Sequence, residues 1–290
     1  MVQAVSPQRI SLASILVATD FSSASQAALA YALSIARRYG ATLYLAHIVR
    51  DSARAVVDDA WREGQRLTTD LLVSGQLRGI PHKLLVGQGE IWEGLSPLIT
   101  QNHIDLLVVG TRGRSGLAKM LLGSVAERIF RQACCPVLTV GPNSPDPATQ
   151  ESGLRRILYA TDFTPQSLFA SNYAFSLAHQ YQARLILLHV VREPADATLQ
   201  KGRALEEAQE RLRALIPADA GLQFEPEFVV GFGTPGTRIL EVASEKTPEL
   251  IVLGVTQPAA GGLGGRRWTV ASEIAAQAPC PVLTVRGPAG

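Results

Sequence analysis

Cysteine is scarce in this chain. Three residues in 290, two of them adjacent at Cys134 and Cys135, do not make a disulfide framework. An imbalance of charge is missing too: 27 basic against 25 acidic residues leave a net +2. That excludes a strongly basic nucleic-acid-binding surface as a whole-chain property, though not a local patch. No apolar run approaches the ~20 residues needed to span a bilayer, so no membrane segment is expected. The opening MVQAVSPQRI lacks a charged stretch followed by an apolar one, so no secretory signal is visible. The expected compartment is the reducing cytoplasm. Charged residues make up only 18% against 47% hydrophobic, which excludes a disordered or collagen-like chain and predicts a globular one.

What is present is a long internal repeat. Ile15-Leu-Val-Ala-Thr-Asp-Phe-Ser22 matches Ile157-Leu-Tyr-Ala-Thr-Asp-Phe-Thr164, and Ala41-Thr-Leu-Tyr-Leu-Ala-His-Ile48 matches Ala183-Arg-Leu-Ile-Leu-Leu-His-Val190. Cys135-Pro-Val-Leu-Thr-Val140 returns as Cys280-Pro-Val-Leu-Thr-Val285. Asp20 and Asp162 stand 142 residues apart, as do His47 and His189, whereas Pro136 and Pro281 stand 145 apart. A period this long means duplicated domains, not a solenoid. The Pro- and Ser-rich stretch 141–152 predicts an extended linker, which places the domains at 1–142 and 153–290.

Each half alternates short apolar runs with helical periodicity. In the first, strands are expected at Ile15 to Thr19, Leu43 to Val49, His82 to Val86, Asp105 to Val109 and Pro136 to Val140. Helices are expected from Ser23 to Gly40, about Ala53 to Gly75, Ile91 to Gln101, and Gly123 to Gln132. Ser23 with Gln26 fits a capping box, Gly40 fits a helix stop, and Pro97 is an awkward interior residue that would kink its helix. The second half follows the same order, with Thr164 as N-cap and Pro165 in the first turn. Strands separated by helices demand right-handed crossovers and a parallel sheet. The fold class is therefore α/β, with two tandem doubly wound domains of five parallel strands each. Ligands in such sheets bind beyond the carboxyl ends of the strands, where strand order switches. Chemistry is expected after Thr19, Ala46 and Val109.

After the fourth strand the sequence reads Gly110-Thr-Arg-Gly113, then nine residues, then Gly123-Ser124. Glycines permit close backbone approach. A glycine and a serine opening a helix direct free N–H groups, a hydroxyl and the positive dipole end at an anion. Arg112, Arg114 and Lys119 add positive charge. The pattern is a phosphate cradle of neither the G-x-x-x-x-G-K-[ST] nor the G-x-G-x-x-G kind. Blander roles stand beside it. Asp20 and Ser124 could each be only a helix cap, and the loop cations only solvated. His47 and His189 read as strand-end or core histidines, the cysteines as small core hydrophobes, and Trp61 and Trp92 as helix-face packing.

The combination resembles the universal stress protein family. Its nucleotide-binding members carry Gly-x2-Gly-x9-Gly-[Ser/Thr] after the fourth strand, matched here by Gly110, Gly113, Gly123 and Ser124. The opening strand ending in Asp20 or Asp162, the Leu45-Ala-His47-Ile48 and Leu187-Leu-His189-Val190 segments, and the closing Cys-Pro-Val-Leu-Thr-Val resemble the family as well. The likeness covers nearly the whole chain twice, as in a tandem member with the adenine nucleotide alpha hydrolase-like fold. It implies ATP binding in the first domain, accompanied by Mg²⁺ on the phosphates, and a nucleotide-dependent stress-response role without evident catalysis. It implies that Asp20 and the backbone around Thr19 hold adenosine and that Ile48 packs near adenine. Gly110, Gly113, Gly123 and Ser124 would cradle ribose and phosphates, with Arg112 and Val125 in the same set. Family members pair through the last strand, so Val137 to Val140 and Val282 to Val285 would pair within one chain. A homodimer and a regulatory protein partner are further implications.

The second half departs from the pattern. Gln257 stands in place of the second glycine and Trp268 in place of Gly123, while Thr269 keeps the hydroxyl. A tryptophan where backbone must approach phosphate is a steric objection, although Arg266 and Arg267 would suit an anion. The expectation is a second domain that binds nucleotide weakly or not at all. Two other readings remain open at this point: a slow ATPase or autophosphorylating enzyme, for which no base can be named, and a nucleotide-independent interaction protein.

Overall fold

The computed structural model describes residues 10–51, 53–111, 124–147, 153–192, 198–255 and 270–287. They form two compact units, one built on Ser11–Pro142 and the other on the residues from 153 onward. In the first unit the elements are β1 Ser14–Ala18, α1 Ser23–Tyr39, β2 Thr42–Val49, α2 Arg54–Val73, β3 His82–Gln88, α3 Ile91–Gln101, β4 Leu106–Gly110, α4 Ser124–Gln132 and β5 Val137–Val140. In the second they are β6 Arg156–Ala160, α5 Pro165–Tyr181, β7 Arg184–Val191, α6 Thr198–Ala214, β8 Glu227–Phe232, α7 Pro235–Lys246, β9 Leu250–Val255, α8 Val270–Gln277 and β10 Val282–Arg286.

Within the first unit the strands lie in the order β3-β2-β1-β4-β5, and every pairing is parallel. Within the second the order is β8-β7-β6-β9-β10, again all parallel. The strand order therefore reverses between β1 and β4, and between β6 and β9. The central strands are apolar without alternation because helices cover both faces: Ile15, Leu16, Val17, Leu107 and Val108 have no solvent exposure. On one face Leu16 and Leu107 pack with Leu95 and Ile99 of α3 and Ile129 of α4. The edge strand β3 is only half-buried.

Local chemistry sets the helix ends. Gly40 closes α1 in the left-handed region at φ 64°. The capping box expected at Ser23 and Gln26 is corrected by one residue: Ser22 is the N-cap, and its hydroxyl accepts from the Ser25 N–H at 3.3 Å. The reason lies upstream. Phe21 turns into the left-handed region at φ 61°, which brings the chain into the helix one residue early. In α5 Thr164 caps as expected, with Pro165 opening the first turn. There the chain leaves the helix through Gln182 at φ 52°, where the first unit has Gly40. The helix α3 runs continuously through Pro97. Cys135 and Cys280 are buried, but Cys134 is exposed, so the reading of all three as core residues holds for two. Burial pushes the thiols of Cys135 and Cys280 up to about 12. Trp92 packs against the core, whereas Trp61 is exposed on α2.

Candidate functional site

The carboxyl ends of β1, β2 and β4 bring Thr19, Asp20, Ile48 and Gly110 to one edge of the first sheet. Thr19 is buried and fully engaged. Its N–H donates to the Ala46 carbonyl at 2.8 Å, and its hydroxyl oxygen lies 3.1 Å from that of Ser25 and accepts from the Phe21 N–H at 3.0 Å. Its carbonyl lies 2.7 Å from Nδ1 of His47. A carbonyl can only accept, so Nδ1 carries the hydrogen. The Phe21 ring stacks on that imidazole, with centroids 4.7 Å apart. Asp20 accepts at Oδ1 from both the N–H of Ser22 (3.0 Å) and its hydroxyl. Asp20 therefore does orient the cap of α1. The bland reading of this residue is realised, and it is compatible with a ligand role.

The second unit reproduces this corner atom for atom. His189 donates from Nδ1 to the Thr161 carbonyl at 2.8 Å, Phe163 sits at φ 60° against the imidazole at 4.5 Å, and Asp162 Oδ1 accepts from the Thr164 N–H at 3.0 Å and from its hydroxyl. Burial opposes ionisation of the Asp162 carboxyl, but the hydroxyl and N–H of Thr164, helped by Ser167, outweigh it and hold the group below the usual carboxylate range. Because both halves keep the corner, it is a device of the fold. It fixes how the chain leaves the first strand and enters the first helix, and it assigns both histidines a positioning role.

Gly110 has a packing reason of its own. A Cβ there would lie 2.7 Å from the carbonyl oxygen of Ala24 and 2.9 Å from its carbon, so the glycine lets the start of α1 press against β4. Gly254 of β9 is tighter still, with a Cβ placed 2.4 Å from Cα of Ser167. This explains why the second half retains the first glycine of the pattern while it lacks the other two. Ile48 is held in a slot that two glycines open: a Cβ on Gly87 would lie 2.5 Å, and one on Gly94 2.7 Å, from the isoleucine side chain. Neither glycine stood out in the sequence, because only the three-dimensional approach of β3 and α3 to β2 shows their use. Counted along the chain from Gly87 and from Gly231, Gly94 corresponds to Arg238. A Cβ on Gly231 would lie 2.6 Å from that arginine's stem. Its guanidinium is 2.9 Å from Glu241 and 3.7 Å from Glu245. The two units thus differ in the wall beside the second strand.

The chain leaves β4 through the buried Thr111 and re-enters described structure at Ser124, the first residue of α4. Arg112, Gly113 and Gly123 lie outside the described residues, as do Arg114, Lys119, Gln257, Arg266, Arg267, Trp268 and Thr269. Ser124 and Val125 open a nine-residue helix whose first turn carries Glu127. Across from it Glu93 of α3 pairs with Arg128 of α4. Among the described residues no three His, Cys, Asp or Glu side chains converge as a metal site.

A profile of the universal stress protein family matches residues 12–141 and again 153–286. The chain belongs to the universal stress protein family. It is a tandem member, since each half is matched separately. A universal stress protein of Mycolicibacterium smegmatis is 28% identical over 298 residues, covering 94% of this chain and 96% of that one. One from Methanocaldococcus jannaschii is 30% identical over 136 residues, 43% of this chain and 80% of that one. In fold, the chain is similar to the crystal structure of a universal stress protein from Archaeoglobus fulgidus, with a TM-score of 0.70 and 20% identity over 94% of this chain and 98% of that one.

Proposed function

We propose that the first unit of this universal stress protein binds ATP with Mg²⁺ and that the protein acts in the cytoplasm as a nucleotide-dependent regulator of a stress response. The observation that carries the reading is topological. The Gly110-x2-Gly113-x9-Gly123-Ser124 segment leaves the sheet at β4, the strand beside β1 where strand order reverses, and returns as the amino end of α4. That is where a doubly wound sheet accepts a nucleotide, and the start of a helix suits its phosphates. The residues present fit such a ligand. Ile48, wedged into its glycine slot, offers a rigid apolar wall for a base. Asp20 at the end of β1 offers a carboxylate for ribose hydroxyls. Mg²⁺ would ride on the phosphates.

Bound ATP supplies a polyanion and a flat ring. The rest is done by the chain: Thr19 is fixed by four hydrogen-bonding contacts, so the adenosine end meets a preorganised surface. A nucleotide that binds one conformer of the protein better than another shifts its population, and a protein partner would read the shift. In the second unit the wall beside β7 carries Arg238 where the first has Gly94, which supports a weaker or absent nucleotide site there.

Calorimetric titration of the full chain with ATP, with and without Mg²⁺, tests the reading. One site per chain is expected, lost in a Gly113→Ala/Gly123→Ala variant whose thermal unfolding is unchanged. Two equal sites would overturn the asymmetry, and no saturable heat would overturn nucleotide binding itself.

A further inference from the structure

The strand β3 closes one side of the first sheet, and among the described residues no strand lies beyond it. The Leu43 N–H donates to the Pro81 carbonyl, and the Gly89 N–H donates to that of Val49. Odd-numbered residues therefore bond to β2, and the alternation of the strand turns the N–H and C=O groups of Leu84 and Val86 outward. Proline and bulges, which blunt such edges, are missing from this seven-residue strand. The helix beside it is unusual too. On α2 the buried Ala60, Gly64 and Leu71 face the sheet. One residue on, Trp61, Gln65, Thr68 and Leu72 follow at spacings of 4, 3 and 4 and form an uncharged stripe along the flank. Trp61 is 39% and Leu72 50% exposed. With Leu84 and Leu85 of β3, Trp61, Gln65 and Thr68 line a hollow of about 570 Å³.

The duplication supplies an internal control. Val86 and Val230 are the register partners of His47 and His189, so Leu84 of β3 matches Phe228 of β8. Over β8 the second unit places cations. The Arg213 guanidinium stands 5.6 Å from the Phe228 ring centroid, and the Lys201 ammonium 5.8 Å from that of Phe232. Counted from the buried Leu71 and Leu212, Arg213 occupies the place of Leu72, and Glu206 that of Gln65. Charge along an edge is a device against pairing with another chain. The second unit has it on the helix flank, and the first unit has an exposed leucine and tryptophan there. The one cation of β3, Lys83, lies 5.7 Å from the Tyr44 ring centroid.

The strand also fits its own copy. Run antiparallel about Leu85, it sets Leu84 opposite Val86, so two residues whose backbone groups point outward exchange both hydrogen bonds. Leu85 then meets Leu85, and Lys83 meets Gly87, so no like charges are opposed. A Cβ on Gly64 of α2 would lie 2.6 Å from Leu84, which sets that part of the helix beside the centre of the pairing. Trp61 of each copy therefore stands near the two-fold axis, where a tryptophan contributes most to an interface. We propose that two copies of this chain associate through β3 and the Trp61 flank of α2, joining their first sheets edge to edge. The surface is separate from the last strands β5 and β10 and from the nucleotide loop.

Sedimentation of the full chain from about 1 to about 200 µM tests this. One short strand and one helix flank make an interface at the small end, so a reversible dimer with a dissociation constant of about 10–100 µM is expected. Hydrogen exchange at the two ends of that range should show the amides of Leu84 and Val86 gaining protection with concentration. Leu72→Arg, which installs the residue of the second unit, and Trp61→Glu should each weaken the dimer about tenfold or more. Both positions are exposed, so both variants should keep the parent's thermal unfolding at low concentration. The Gly113→Ala/Gly123→Ala chain should dimerise as the parent does, so this surface and the nucleotide site can fail separately. A monomer at every concentration overturns the proposal, and would leave the edge to an extended segment of another protein. A dimer of unchanged affinity in both flank variants overturns it, as does one that leaves the Leu84 and Val86 amides unprotected. Open-ended growth beyond the dimer overturns the two-fold pairing.

Discussion

Gly254→Ala is the substitution on which the packing argument rests most directly. Ordinary van der Waals contact begins near 3.4 Å, and a Cβ at position 254 would meet Ser167 Cα at 2.4 Å and the Gln166 carbonyl oxygen at 2.5 Å. The backbone must therefore give by about 1 Å, since every nearby atom belongs to the first turn of α5. At Gly110 the nearest atom is the Ala24 carbonyl oxygen at 2.7 Å, a shortfall of about 0.7 Å. Overpacking of a close-packed interior costs about 1–3 kcal/mol, partly offset by about 0.5–1 kcal/mol from the lower entropy of the unfolded alanine chain. The net expectation is about 2 kcal/mol for Gly254→Ala and about 1 kcal/mol for Gly110→Ala. At a few degrees per kcal/mol, that lowers the second unit's Tm by about 6–8 °C and the first unit's by about 3–4 °C. Hydrogen exchange of the core strand amides, followed through a urea series, resolves the two units. A Gly254→Ala chain within about 0.5 kcal/mol of the parent would refute the close-approach argument. So would a Gly110→Ala chain that loses ATP with no loss of stability, for then that glycine serves the ligand alone.

Three further outcomes follow from the same contacts. Gln182 holds a left-handed φ of 52° that glycine adopts without strain, so Gln182→Gly should stabilise the second unit by about 1 kcal/mol in urea melts, and Gly40→Ala should destabilise the first by a similar amount. The Asp162 carboxyl lies below its unfolded value of 3.8, so its contribution is fully present above that pH and is lost as pH falls through the lower folded value; Asp162→Asn should flatten the acid limb of the stability profile there, and an unchanged limb would count against the Thr164 contacts. With Cys135 and Cys280 at about 12 and buried, a native chain treated with iodoacetamide near pH 8 should take one label, at the exposed Cys134, and an unfolded chain three by mass spectrometry.

The duplication, the order of elements and the parallel sheet were legible in the sequence because each rests on a local signal: an apolar run, a helical period, a glycine stop. The capping error at Ser23 shows where local signals end. Ser22 and Ser23 are both competent caps, and the helix starts after Ser22, where Phe21 has turned into the left-handed region with the His47 imidazole packed against its ring. That histidine lies 26 residues farther on. The slot around Ile48 was invisible for the same reason. Gly87 and Gly94 sit on separate elements and acquire a purpose only when both face one side chain.

A duplicated chain allows shared and divergent residues to be weighed against each other on one backbone. Thr19 and Thr161, His47 and His189, Gly110 and Gly254 are shared, and in each case the structure supplies a fold-level reason for keeping them. Their persistence is therefore poor support for a ligand site in either half. The divergent positions carry the functional information. Gly94 against Arg238 alters the wall near the proposed base, while Ser14 and Thr42 against Arg156 and Arg184 alter the opposite sheet end. Both changes bring in arginine: Arg238 stands beside Glu241 and Glu245, Arg156 faces Glu249, and Arg184 lies against the Phe224 ring. Exchanging the second pair, Arg156→Ser with Arg184→Thr, should leave ATP stoichiometry at one per chain. Because it removes a like-charge pair together with the half-exposed Arg156–Glu249 contact and the Arg184–Phe224 ring contact, the second unit's stability should change by less than about 1 kcal/mol; a larger loss would mean that the arginines serve the fold, and the divergence would lose its functional meaning.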